Sequence, residues 1–265
     1  MNSSAPIHGW RVSGSGEVTS PGAPQMRLRT GCYALRESDG MLWVRDADAP
    51  EVPPVKLSFP GYRPLAIHQH LLAAPLHLLL DNMMELEHTA AVHGIFGFNV
   101  ARLHEVKTRV AQIGASIGIY YEGPQRKLPL HYEMVTGLQD GDIFMQDALV
   151  SFAPVHAVYD LRWYSPQGER RPFELKFVVF FNEVDEQNAV QFSFAFAKVE
   201  RAIAQPLMWA VLPLLSASIN EELSRDIHLV EQLRLPAGAE SRFRYSRFDR
   251  PLVLRRWLYP ATTQG

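Results

Sequence analysis

The feature that most constrains the fold is a pair of β-branched and aromatic runs, residues 173–181 and 189–198, separated by the polar stretch 182–188. Such runs suit a pleated surface better than a helix. A short polar gap between them closes a hairpin, so the two should pair antiparallel and anchor a sheet. Residues 142–152 and 156–164 read as further strands, followed by a turn at 165–168, and 130–135 reads as another. Residues 55–67 are extended in pattern, and 102–119 read as strand or mixed structure. Helical periodicity marks two segments. Residues 75–93 put Leu78, Leu79, Asn82, Leu86 and Ala90 on one face, and residues 203–232 form a helix expected to bend or break near Pro213. Strands, a helix, antiparallel strands and a long C-terminal helix make up an α+β order. The expected architecture is a helix-grip fold, one helix held by a curved antiparallel sheet.

The first 54 residues differ in texture, being rich in Gly, Pro and Ser with short β-type runs. Trp10-Arg11-Val12 leads into a tight turn at Gly14-Ser15-Gly16. Residues 32–35 and 41–44 read as strands joined through Ser38-Asp39-Gly40. Ala49-Pro50-Glu51-Val52-Pro53-Pro54 has linker chemistry, since proline removes donors and stiffens the chain. A boundary is expected there, with residues 1–52 a β-rich unit and 53–265 the main domain.

Composition excludes several classes. At 265 residues, 47% hydrophobic and 20% charged, the chain has an ordinary globular balance and buries on the order of 70–75% of its unfolded surface. Its single cysteine, Cys32, builds neither a disulfide framework nor a Cys-rich metal site. A net charge of -2 offers no electrostatic footprint for nucleic acid. Residues 1–9 lack a basic n-region and an apolar h-region, and the apolar stretches at 71–80 and 207–215 are short and interrupted by Pro75 and Pro213. The expectation is a cytoplasmic protein with no membrane or nucleic-acid partner.

The chemistry-bearing stretch is residues 81–93, where His88 and His93 follow Asn82 and Glu85. Two histidines and a carboxylate with open positions form the facial triad that suits an oxygen-activating Fe(II). Positions five apart lie about 140° apart on a regular helix. Both rings reach one metal only if the helix ends or distorts near His93, and Gly94 and Gly97 follow where a helix would stop. Two ordinary histidines on a half-buried helix satisfy the same spacing. The third ligand would be a carboxylate from elsewhere. Residues 219–233 carry an apolar face of Ile219, Leu223, Ile227, Val230 and Leu233, and Asp226 falls within it. A carboxylate turned to a core needs a metal or a partner charge. A salt bridge to an arginine is the plainer account, and Glu222 on the flank of the same face is the rival ligand.

These residues resemble the Rieske-type non-haem iron oxygenases, the ring-hydroxylating dioxygenase large subunits and vanillate-demethylase-like monooxygenases. That family's iron motif runs Asn-x-x-Asp-x-x-His-x-x-x-x-His, and this chain matches it at Asn82, His88 and His93, with Glu85 where the family has Asp. Asp226 and Glu231 match the family's C-terminal iron ligand and the Glu that follows it. Ala5-Pro6-Ile7-His8-Gly9-Trp10 is similar to the end of the family's cluster motif, Cys-Pro-x-His-Gly-Trp, and Gly40-Met41-Leu42-Trp43-Val44 to the strand beyond it.

The resemblance implies a mononuclear Fe(II) held by His88, His93 and Asp226. Asn82 and Glu85 would be the catalytic residues around it, orienting the histidines and relaying electrons. It also implies O2 and a small apolar or aromatic substrate that is hydroxylated or O-demethylated, a reductase or ferredoxin as electron donor, and a homotrimer. A [2Fe–2S] cluster belongs to the family, yet it needs two Cys and two His. Here Ala5 stands at a Cys position and His8 is the one matching ligand, so residues 1–52 read as a truncated Rieske-like remnant. Two other readings stand beside the oxygenase. One is an iron-free, START-like ligand-binding module; the other is an inactive fragment of a longer two-domain oxygenase. Phe96, Phe98, Tyr120, Phe152 and Phe194 are candidates to line a pocket. His68-Gln69-His70 places two imidazoles on one strand face, a conceivable metal pair or a polar wet face. The Arg-rich run 242–256 alternates charge with aromatics, as a strand with one wet face would.

Overall fold

The computed structural model describes residues 3–4, 10–200, 205–233 and 245–259. The Ala5, His8 and Gly9 positions of the N-terminal motif lie outside the described residues. The chain divides into two compact units, Met1–Phe59 and Pro60–Gly265.

In the first unit, strands β1 (Ser3–Ser4), β2 (Arg11–Val12), β3 (Glu17–Ser20) and β4 (Ala23–Arg29) form an antiparallel sheet in sequence order. The turn before β3 depends on Gly16, at φ +79°, where an added Cβ would lie 2.6 Å from both the Cys32 Sγ and the Thr30 carbonyl oxygen. Strands β5 (Tyr33–Ser38) and β6 (Met41–Asp46) form a separate hairpin. Its two-residue loop has positive φ at Asp39 and Gly40, as a twist-matched hairpin turn requires.

The second unit is built on a seven-stranded antiparallel sheet. Its strands are β7 (Arg63–Leu72), β8 (Lys107–Ile113), β9 (Ser116–Pro124), β10 (Ile143–Phe152), β11 (Val155–Tyr164), β12 (Arg170–Asp185) and β13 (Asn188–Val199), in the order β7-β13-β12-β11-β10-β9-β8. The predicted pair of runs becomes β12 and β13, longer than their apolar cores because Asn182–Asp185 continues the ladder on a solvent-facing tip. One face of β9, β10 and β11 is buried by simple alternation: Ile117, Ile119 and Tyr121; Phe144, Ala148 and Val150; Ala157, Tyr159, Leu161 and Trp163. These residues share one core with the helices, through Leu79, Leu80 and Met84 and through Ile219, Leu223, Ile227 and Val230.

The helices are α1 (Leu76–Met84), α2 (Glu87–Val92), α3 (Leu130–Thr136), α4 (Gln205–Gln232) and α5 (Arg250–Leu258), with a 3₁₀ turn at Val100–Glu105. Four expectations change. The segment 75–93 is two helices, not one. Glu85 is extended (φ −87°, ψ 135°), and its carboxylate accepts the N–H groups of Glu87 and His88, orphan donors at the start of α2. Residues 130–135 are helical rather than a strand. Tyr132 and Thr136 repeat at helical spacing into the core, and Gly137 ends the helix at φ +72°. The C-terminal run contains α5 rather than a strand, with Pro251 in its first turn, where a missing N–H costs nothing; residues 242–244 lie outside the described residues. Helix α4 is continuous through Pro213.

Candidate metal centre

The break at Glu85 decides how the two histidines meet. His88 sits in the first turn of α2, and His93 follows the last residue of that helix with an extended backbone (φ −71°, ψ 145°). Leaving the helix at Val92 removes the 140° problem, because His93 no longer follows helical rotation. The rings lie edge to face with centroids 5.6 Å apart. Asp226 approaches from α4, its neighbours Ile219, Leu223, Ile227 and Val230 fixing that face to the core. The carboxylate Oδ1 stands 2.8 Å from His93 Nε2 and 3.5 Å from His88 Nε2. One ligand atom from each of His88, His93 and Asp226 lies within 4.8 Å of the others.

Donor chemistry and burial fit a metal ion. Ligand atoms about 2.0–2.2 Å from an ion lie roughly 3–4 Å from one another, and the Asp226 oxygen stands 2.8 and 3.5 Å from the two imidazole nitrogens, with all three atoms within 4.8 Å. The Asp226 side chain is 4% exposed and that of His88 7%. A buried carboxylate needs a compensating charge. The arginine that might have provided it, Arg225, instead pairs with Glu221 and Glu222 and reaches the Val92 carbonyl. Among the described residues, the partners of Asp226 are the two imidazoles. Two imidazole nitrogens and one carboxylate oxygen suit Fe(II).

The surrounding residues hold this geometry. Glu85 Oε2 lies 3.2 Å from His88 Nδ1, which leaves the Nε2 edge of that ring facing Asp226. Burial pushes the Glu85 carboxyl up, but hydrogen bonds from the His88 ring and from the His88 and Glu87 backbone outweigh it, so its pKa lies below the usual value. Asn82 is buried one turn earlier on α1, and its Nδ2 finds no hydrogen-bond partner among the described residues. Glu222, the rival ligand, is turned to other work: its carboxylate accepts the Gly94 N–H at 2.8 and 2.9 Å, immediately after His93. Glu231 accepts the Ala73 N–H. His68 and His70 lie on β7 beside α4, bonded to the Ser216 backbone and the Asn220 side chain; no third metal-type ligand joins them among the described residues.

The three groups open onto a cavity with about 960 Å³ of non-atom space including its mouth. Its walls are mostly apolar, from α1 (Met83, Met84), α4 (Ile219, Leu223) and the sheet (Ile119, Phe144, Leu161, Phe177, Val179). Of the five aromatic candidates, Phe96 lines it. Phe98 packs on Phe144 behind the wall, Tyr120 bonds Glu122, Phe152 stacks on Tyr259, and Phe194 packs on Phe180. Tyr121, Gln146 and Tyr159 are lining residues that the sequence reading missed. Their alternation marks one face of each strand, but nothing local tells which face meets α2.

No family model and no curated protein matches this chain. Solved structures do. Dicamba monooxygenase bound to dicamba superposes with a TM-score of 0.71 at 17% identity, over 97% of this chain and 78% of that one. NdmA of Pseudomonas putida CBB5 with caffeine gives 0.64 at 16% identity, over 97% and 71%, and NdmB of the same strain gives 0.64 at 13%, over 97% and 70%. No helix among the described residues is long and apolar enough to cross a membrane. A large antiparallel sheet with few helices, and a His–His–Asp group beneath an apolar cavity, thus stand in a chain that has the fold of dicamba monooxygenase and of the Ndm proteins.

Proposed function

We propose that the chain is the catalytic subunit of a Rieske-type non-haem iron oxygenase, with residues 53–265 a helix-grip catalytic domain and residues 1–52 a remnant of the Rieske domain. The observation that carries this reading is the convergence of His88, His93 and Asp226 beneath an apolar cavity, in a fold shared with a monooxygenase. His88 and His93 would present Nε2 and Asp226 Oδ1 to a ferrous ion. When bound, that ion supplies the redox chemistry that lets O2 hydroxylate or O-demethylate an apolar or aromatic substrate. Glu85 holds the His88 ring by Nδ1 and keeps its Nε2 turned to the metal position. The apolar walls exclude water and hold a flat substrate over the three ligands. Asn82 and Glu85 would link this site to the incoming electron.

The residues do not fit a [2Fe–2S] cluster. Cys32 is the single cysteine, and its Sγ contacts the Gly14 and Thr30 carbonyl oxygens. With no full set of cluster ligands in these 265 residues, the proposed electron donor is a reductase or ferredoxin. A cytoplasmic homotrimer is the assembly that the family resemblance suggests.

Metal analysis tests the reading. Protein purified without oxygen and reconstituted with Fe(II) should hold about one iron per chain. His88→Ala and Asp226→Ala should each lose it. A wild-type chain that binds no iron would overturn the proposal.

A further inference from the structure

The cavity wall carries charge of one sign. Among its described lining residues are the carboxylates Glu85, Glu222 and Asp226, and neither a lysine nor an arginine. The nearby guanidinium groups do not line the cavity: Arg126 donates through Nη2 to the Ala90 carbonyl and keeps a buried Nη1 without a partner among the described residues, and Arg225 bonds Glu221, Glu222 and the Val92 carbonyl. A divalent ion on the triad would not reverse this, because Asp226 and Glu85 already match its charge. An anionic ligand would thus give up its hydration with no lysine or arginine on the wall to receive it, a cost of several kcal/mol.

The neutral polar groups of the wall are nearly all spent. Tyr159 Oη donates to the Met83 carbonyl at 2.9 Å, Tyr121 Oη to the Phe248 carbonyl at 3.4 Å, and Thr89 Oγ1 to the Leu86 carbonyl at 2.7 Å. Gln146 is different. It lies on the inward face of β10, two residues from Phe144 and two from Ala148, and pairs across the sheet with Tyr121 and Leu161, both of which line the cavity. Its half-buried side-chain amide makes no hydrogen bond to the described residues. That amide is open to the cavity, so it is free to meet a ligand group that replaces the water it would otherwise bind. An amide offers one donor edge and one acceptor edge, so it best matches a group with both.

We infer that the cavity takes an uncharged aromatic substrate bearing a carbonyl or carboxamide group, and that Gln146 is the residue that recognises that group. This rests on the cavity being the substrate site of the proposed oxygenase. It departs from the ligand of one structural neighbour, whose crystal structure holds 3,6-dichlorosalicylic acid.

Binding to the full chain, with its iron content measured on the same sample, tests the inference through calorimetry with three probes of one shape: 4-methoxybenzamide, 4-methoxybenzoate and 4-methoxytoluene. At pH 8 the amide should bind at least on the order of 100-fold more tightly than the carboxylate. Gln146→Leu and Gln146→Met should weaken the amide about 3- to 10-fold and leave 4-methoxytoluene unchanged or tighter. Equal binding of amide and carboxylate, no binding of the amide, or an equal loss for amide and 4-methoxytoluene in both variants would each overturn it. A sample without iron that still prefers the amide through Gln146 would sink the oxygenase reading alone. A sample with one iron per chain that takes the carboxylate equally well would sink this inference alone.

Discussion

The contact between α1 and α5 offers a sharp test of how the site is braced. Asp81 Oδ1 accepts two bonds from Arg255, at 2.9 Å from Nε and 2.6 Å from Nη2, and Oδ2 accepts one from Arg256 at 3.1 Å. The Arg255 side chain is 1% exposed and that of Asp81 16%. Asp81→Ala therefore leaves a guanidinium buried beside a missing partner. Breaking such a pair costs roughly 3–5 kcal/mol. Arg255 keeps one acceptor, the Tyr259 carbonyl at 3.2 Å, which puts the expected loss near the lower end, about 3 kcal/mol. For a folded unit of this size that lowers Tm by roughly 6–12 °C. The double variant Asp81→Ala/Arg255→Met removes both charges and should recover more than half of the loss, because no uncompensated ion remains. Thermal unfolding by circular dichroism on the wild type, the two single variants and the double variant reads this directly. Helix α1 runs on to the Met83 carbonyl held by Tyr159 and to Glu85 at the metal centre, so iron affinity should fall in Asp81→Ala as well. A Tm change below about 2 °C in Asp81→Ala, or a double variant no better than the single, would refute the reasoning.

Two further predictions concern the site and the helix behind it. Glu222→Ala should lower iron affinity on the order of 10-fold with little change in apo-protein Tm, since the exposed Gly94 N–H rehydrates while His93 loses its restraint; Glu222→Gln, which keeps an acceptor, should lose less. Chelator competition measures both, and an unchanged affinity in Glu222→Ala would discount the restraint. His68 and His70 have pKa values lowered by burial, with His70 adding repulsion at His68. The fold thus favours their neutral forms, and the unfolded chain takes up protons first as pH falls below about 6.5. The stability they contribute is complete above that pH and is lost as pH drops through the depressed folded values. In a Tm-against-pH series, His68→Gln/His70→Gln should flatten the acid slope; an identical slope would show that these rings do not carry it.

Much of this protein is written in short-range pattern. The β12–β13 pair follows from apolar runs with a polar gap, and the Asp39-Gly40 hairpin from two residues that tolerate positive φ. The place of Asp226 within an apolar helical face is likewise a matter of spacing along 219–233. The short amphipathic stretches of α3 and α5 suit a strand period as well as a helical one, and tertiary contacts choose between them. The helix break at Glu85 had no sequence signal of its own, because it comes from a carboxylate folding back on the next turn's N–H groups. Packing alone decided that His93 meets Asp226, separated by 133 positions in the chain, and that the Gln146 amide faces the same cavity. Residue order determines the period of each element and therefore which side chains share a face. Which faces then oppose one another depends on how helices and sheet bury their apolar surfaces together, and that is settled only in the folded chain.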